Sequence, residues 1–247
     1  MRRMLAALFI VLLSAMFIMG CDGGSEFSDP TVNRGVTSEE TVMLTGVVAT
    51  GEPVQGVVQA INTRGETSDE VIPDADGHFA VEISDYRPFL LRLIPHGEGT
   101  ELFSFSATDD PVNLTPLTNL ALYIAVGAGA DLEGMYHDWD GRQVSAEDVQ
   151  MAAAVVNANL APILHQQGLD PTTYDLFHAD VALDSTGLDA VLNTIRVRID
   201  PAETTLNRAI RILDPADRSL LTFDAAVPVP NTAVTPAAGQ KQPDKSP

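Results

Sequence analysis

The sequence predicts an α+β fold. An N-terminal antiparallel β-sandwich over residues 41–114 is followed by a small, mainly helical unit over 115–224 that closes in a terminal β-meander. Three observations predict this. Between Thr41 and Ser106 apolar residues alternate with polar ones in short runs broken by Pro and Gly. From Thr115 to Ile195 the apolar spacing lengthens to that of helices. After Arg196 short β-branched and aliphatic runs return.

The strands come first. Val42, Leu44, Gly46 and Val48 alternate with Met43, Thr45 and Val47. A second run, Val54 to Ile61, follows the turn Gly51-Glu52-Pro53. Phe79, Val81 and Ile83 alternate with Ala80, Glu82 and Ser84, the clearest period of two in the chain. Phe89 to Ile94 is apolar apart from Arg92, and Phe103 and Phe105 alternate with Ser104 and Ser106. Short strands punctuated this way predict an antiparallel sandwich.

Thr45-Gly46-Val47-Val48, Val54-Gln55-Gly56-Val57 and Asp74-Ala75-Asp76-Gly77-His78-Phe79 carry a family likeness. Together they resemble the carboxypeptidase regulatory-like (transthyretin-like) β-sandwich over roughly residues 41–108. The resemblance implies an appended structural or binding module of a secreted protein. It carries over no catalytic residue.

Thr115-Pro116 predicts a helix start, with Thr as cap and Pro where no intrahelical N–H is needed. Leu117, Leu120, Ala121, Ile124 and Ala128 keep helical spacing, and Leu122, Tyr123 and Val126 make the other face apolar, so this helix, stopped at Gly127 and Gly129, is expected to be buried. Ser145-Ala146-Glu147-Asp148 approximates a capping box for a long helix over about 145–167, which Pro162 should kink or end. A third helix is expected from Thr186, with Leu188, Val191, Leu192 and Ile195 on one face. Residues 196–199, 206–213 and 220–223 read as the strands of the meander. From Ala225 the chain is Pro-, Ala- and Thr-rich, the composition of a disordered tail over 225–247.

The start of the chain has its own pattern. Met1-Arg2-Arg3 precedes the uncharged run Met4 to Met19, which predicts a secretory signal peptide over residues 1–20. The alternative is a permanent membrane span, which needs about 20 apolar residues. Ile18-Met19-Gly20-Cys21 resembles the lipobox of bacterial lipoproteins. In that family the Cys thiol takes a diacylglycerol and the chain is cut before it. The resemblance therefore implies a lipid on Cys21, a membrane partner and a place in the bacterial cell envelope. Cys21 is the only cysteine and has no internal disulfide partner; read from the residue alone, a free thiol is the alternative. Asp22 resembles the inner-membrane retention signal of enteric lipoproteins. Residues 21–40, rich in Gly, Ser, Asp and Glu, then read as a lipidated flexible tether.

Composition narrows the function. The chain carries a net charge of −20, and loss of Arg2 and Arg3 with the leader makes it −22. Such a surface repels phosphates and excludes nucleic acid as an expected partner. Its only lysines are Lys241 and Lys245.

Two constellations are candidate sites. Asp74 and Asp76 carry carboxylates that suit calcium, which takes oxygen ligands; the alternative is a hairpin turn, for which Asp and Gly are equally suited. His137-Asp138-Trp139-Asp140 gathers an imidazole, two carboxylates and the only tryptophan. His137 and Trp139 would there bind a ligand, Trp139 by stacking on a sugar; the alternative is a loop with Trp139 plugged into the core. No H-E-x-x-H, G-x-S-x-G or phosphate-binding Gly-rich loop is present, so no catalytic residue and no cofactor beyond calcium is expected. The expected function is that of an anchored binding or scaffold module, non-enzymatic, meeting an envelope protein or glycan. The alternative is an envelope hydrolase or metal-dependent enzyme with its site between the two units.

Overall fold

The computed structural model describes residues 40–51, 55–97 and 99–227. The leader, Cys21, Asp22, the tether up to Glu39 and the tail from Pro228 lie outside the described residues. The fold is mixed α+β with three three-stranded sheets.

β1 (Thr41–Val48), β2 (Gly56–Ile61), β3 (His78–Ser84), β4 (Phe89–Pro95), β5 (Leu102–Ser106) and β6 (Val112–Leu114) build the first two sheets. One has the order β3-β1-β6, antiparallel between β1 and β3 with Leu44 opposite Val81, and parallel between β1 and β6. The other, β2-β4-β5, is antiparallel throughout. β3 behaves as its alternation predicts: Phe79, Val81 and Ile83 are buried and His78, Ala80 and Glu82 exposed. At Gly46 the backbone of β6 closes on β1, and a Cβ there would lie 1.8 Å from the Val112 carbonyl oxygen.

β5 is buried on both faces, which its alternating Phe and Ser residues do not announce. Phe103 and Phe105 pack against Tyr136 and Trp139, and Ser104 Oγ donates to the Asn113 carbonyl at 2.7 Å. The serines are thus spent internally, and the layer that hides the phenylalanines is helical.

Those helices are α1 (Pro116–Val126), α2 (Leu132–His137), α3 (Ala146–Gln166), α4 (Gly187–Thr194) and the single turn α5 (Leu206–Ala209). The Thr115 hydroxyl caps α1, accepting from Leu117 N at 3.2 Å and Thr118 N at 3.1 Å, and Thr118 Oγ1 accepts from Thr115 N at 2.9 Å. α3 has the capping box with Asp in the acidic place: Ser145 Oγ accepts from Asp148 N at 3.1 Å and Asp148 Oδ2 from Ser145 N at 3.2 Å. α2 falls in a stretch for which the sequence reading gives no element. Asp131 starts it by accepting from Gly134 N at 2.9 Å. Arg92 holds it from the sheet side: its guanidinium lies 4.5 Å from the Tyr136 ring centroid and donates to Gln59 at 2.9 Å.

α3 runs through Pro162 to Gln166, within the expected 145–167. A proline removes one helical hydrogen bond, and fully buried Leu164, whose carbonyl also accepts from Leu169 N at 2.9 Å, keeps the last turn in place. The expected strand 206–213 is split. Leu206–Ala209 coils as α5, with Arg208 N and Ala209 N both donating to the Thr205 carbonyl, and only Ile210–Leu213 pairs as a strand. The third sheet is then β7 (Arg196–Ile199), β8 (Ile210–Leu213) and β9 (Ser219–Leu221), in the order β7-β8-β9.

Sheets and helices share one buried cluster, which includes Leu44, Val58, Val81 and Leu91 from strands and Leu120, Tyr123, Val156 and Leu160 from helices. Beyond β9, Ala225 N donates to Asn207 at 2.8 Å and Asn159 Nδ2 to the Asp224 carbonyl at 2.9 Å, so ordered contacts reach into the segment read as tail.

Candidate functional site

α3 carries an unusual stripe of small side chains. Ala146, Ala153, Ala154, Ala158 and Ala161 recur at helical spacing and fall on one face. Methyl groups cannot fill the space beside a helix, so the face stays concave. The opposite wall is the segment 171–178. A cavity of about 660 Å³ is lined by both, and also by Phe105, Ala107 and Thr108. That is the size of a small-ligand site, typically about 300–1,000 Å³.

Short local bonds position the opposite wall. Asp170 accepts from Thr172 N at 2.9 Å, and Asp175 Oδ1 accepts from Phe177 N at 2.9 Å and His178 N at 3.1 Å. Buried Asn113 ties this wall to β6: its N–H donates to the Phe177 carbonyl at 2.6 Å and its Nδ2 to the Ala179 carbonyl at 2.7 Å. Leu176 and Phe177 are buried beneath.

Three polar features belong to residues that line this space. Asn157, 4% exposed, donates through Nδ2 to the Tyr174 carbonyl at 2.7 Å, which fixes its amide orientation. Its Oδ1 is buried without a hydrogen-bond partner, and so is the Tyr174 hydroxyl. Burial first, and the Asp175 charge second, push that phenol up to about 12. At the rim His178 Nδ1 pairs with Asp175 Oδ2 at 2.9 Å. The hydrogen bond to Asp175 raises His178 above its ordinary value, and the same bond holds Asp175 below its own.

No protein-family model, curated protein or solved structure matches this chain. The site is therefore read from its own geometry.

The rim pair makes stability depend on pH. The raised His178 value means its contribution is complete below the ordinary imidazole value of 6.5 and is lost as pH rises through the raised one. The lowered Asp175 value means its contribution is present above 3.8 and is lost as pH falls through the lowered one. His178→Gln is expected to lower the thermal midpoint most at about pH 5.5 and least at about pH 8.5. Thermal melts of both proteins across that range check this; an equal effect at both ends contradicts it.

The sequence-selected residues lie elsewhere. Trp139 is 2% exposed, donates its indole N–H to the Pro88 carbonyl at 3.0 Å, and meets Phe105 edge-on. Its ring is the core plug of the alternative reading and presents no face to a sugar. His137 ends α2, edge-on to Tyr136 and exposed. Asp74 Oδ1 accepts from Asp76 N and His78 N, both at 2.9 Å, and Gly77 has φ +78°, so Asp74 builds the hairpin turn before β3. Among the described residues no group of three or more His, Cys, Asp or Glu side chains is placed to hold a metal ion. Sequence reasoning missed Asn157, Tyr174, Asp175 and His178. The alanine stripe and the Asp-x-x-His spacing were their available signals.

Proposed function

We propose that this chain is a lipid-anchored protein of the bacterial envelope that works as a binding module, with the α3 cavity as its binding site. The observation that carries the reading is a mainly apolar cavity whose lining residues Asn157 and Tyr174 each keep a buried, unpartnered polar atom, Oδ1 and the hydroxyl, behind its surface. Such an atom costs about 1–3 kcal/mol when left unmade. The Asn157 orientation leaves an acceptor, so the matching ligand has a small apolar body and an N–H or O–H donor. An envelope peptide segment or glycan offers both.

The test uses native membranes. A photoreactive benzoylphenylalanine at position 154 should give discrete adducts that Ala158→Trp, by filling the cavity, abolishes. The same group at Met151, 56% exposed, is the control. Equal adducts from both positions, or none from 154, sinks the reading.

Anchoring at Cys21 rests on the lipobox resemblance. Cys21→Ala is expected to move the protein from the membrane to the soluble fraction, and wild type is expected in the inner membrane, given Asp22. A variant that stays in the membrane removes the anchor from the proposal.

β3-β1-β6 and β2-β4-β5 are, in this reading, the layers of the N-terminal sandwich resembling the carboxypeptidase regulatory-like module. Their inward residues Leu44, Val81, Val58 and Leu91 belong to one buried cluster, which supports it.

One observation favours the hydrolase alternative. Asp175 holds His178 by Nδ1, the arrangement that frees Nε2 as a general base. Among the described residues no hydroxyl or thiol hydrogen-bonds that imidazole, so binding is the better-supported reading. Turnover of p-nitrophenyl acetate by wild type that His178→Ala abolishes would reverse the order.

A further inference from the structure

The third sheet ends in an open edge. Asp200 N donates to the Ala209 carbonyl at 2.9 Å, in line with the register that sets Arg198 opposite Arg211 and Arg196 opposite Leu213. In an antiparallel pair the hydrogen-bonded positions alternate. Residues 196, 198 and 200 therefore bond to β8, and the N–H and C=O groups of Val197 and Ile199 point away from it. Those groups have no partner among the described residues. They border a cavity of about 790 Å³ that β7 shares with Leu93, Leu102 and Asn119.

The cavity is built for acceptors. Asn119 is 8% exposed and its Oδ1 accepts from Phe103 N at 3.0 Å. Its Nδ2 is left as a donor with no partner among the described residues. In a chain of net charge −20, Arg196 and Arg198 line this cavity and no described carboxylate does. Arg198 and Arg211 face each other across the strands, a like-charge register that is unfavourable unless an anion joins it. Arg198 does pair with Asp217 at 2.8 Å, but both side chains are more than half exposed, and such pairs are weak and exchangeable. Arg196 is already engaged, donating to the Ile195 carbonyl at 3.1 Å. Arg211 has no acidic partner among the described residues.

An inorganic anion would meet the outward carbonyls of Val197 and Ile199 as well as the donors. An extended peptide satisfies both kinds of group. We propose that the free edge of β7 takes an extended acidic peptide of a partner protein as an added strand, its main chain bonded to Val197 and Ile199 and its carboxylates on the face of Arg196 and Arg198. Strand alternation gives the recognised pattern. Acidic residues at every second position meet the arginine face, and apolar residues between them meet the half-buried side of Val197 and Ile199.

The test is fluorescence anisotropy on the full-length protein in detergent, with fluorescein-labelled Glu-Val-Glu-Val-Glu. Saturable binding is expected. Gln-Val-Gln-Val-Gln, and the acidic peptide N-methylated at alternate amides, should each bind at least tenfold more weakly. Val197→Pro removes the outward N–H and spares the β8 ladder; it should bind about tenfold more weakly than Val197→Ala, which loses the same core-packed side chain but keeps that N–H. The double change Arg198→Glu, Arg211→Glu should cost more. No binding, equal binding of the neutral or N-methylated peptide, or a folded Val197→Pro protein that binds as Val197→Ala does overturns the proposal. Displacement by inorganic phosphate at the same concentration as the acidic peptide also overturns it, because that describes a simple anion site.

Discussion

Replacing Trp139 by alanine will lower the unfolding free energy by about 3–5 kcal/mol, the range for removing a large aromatic from a packed core. The residue is 2% exposed, its ring plugs the space beside Phe105, and its indole N–H serves the Pro88 carbonyl. Alanine would leave a cavity and a carbonyl without its donor. Urea titration followed by circular dichroism measures the loss, since Trp139 is the only tryptophan and cannot report its own removal by fluorescence. Wild-type emission should be blue-shifted and should move red in the same transition that the circular dichroism sees. A loss below about 1 kcal/mol, the scale of surface substitutions, would show that the ring is not packed as described.

Gly46→Ala should do as much damage with a single methyl. Forcing extra volume into a packed site typically costs about 1–3 kcal/mol. Here the neighbour is backbone: the new carbon would lie 1.8 Å from the Val112 carbonyl oxygen and 2.8 Å from the Phe79 ring. A side chain can rotate away, but the carbonyl moves only if β6 moves, and β6 carries Asn113 and the start of α1. The expected cost lies at or above the top of that range. The measurement is the yield of soluble protein and its urea midpoint. A variant with a midpoint equal to wild type would mean that β1 and β6 are farther apart than this.

The legible parts of the fold were those where one local rule acts alone. β3 has a single buried face, so its alternation is its burial. α1 and α3 have side-chain caps at their starts, and both appear where those residues put them. The errors have the opposite cause. α2 carries Leu132, Met135 and Tyr136 at helical spacing behind an Asp cap, but it is only six residues long and has Gly134 inside, too short a pattern to stand out in the sequence. Tertiary contact with Arg92 and Phe103 decides it. The 206–213 run mixes Leu206, Ala209, Ile210, Ile212 and Leu213 with Asn207, Arg208 and Arg211, and such short runs do not distinguish a helical turn from a strand without the neighbouring chain.

The site was less legible than the fold. His137 and Trp139 stand side by side in sequence, and that proximity suggests a pocket, yet one faces solvent and the other the core. The residues that gather around the α3 cavity come from 105–108, 146–165 and 171–178, and only folding joins them. Asn157 is one more polar residue in a helix until its Nδ2 is seen held by the Tyr174 carbonyl. Cys21 is the reverse case: its role is read from neighbours in sequence alone.

The distribution of cations has a practical side. Every positive side chain with a permanent charge in the described fold is arginine, while the two lysines lie at 241 and 245. Amine-directed reagents therefore have no side-chain target on the folded body, and if Cys21 is acylated at its amino group as well, none at the start. Such reagents would attach dyes, beads or a sensor surface through Lys241 and Lys245. The protein can thus be immobilised with no coupling on the residues that line either cavity, and a survey of its neighbours by lysine crosslinking would miss whatever the described fold touches.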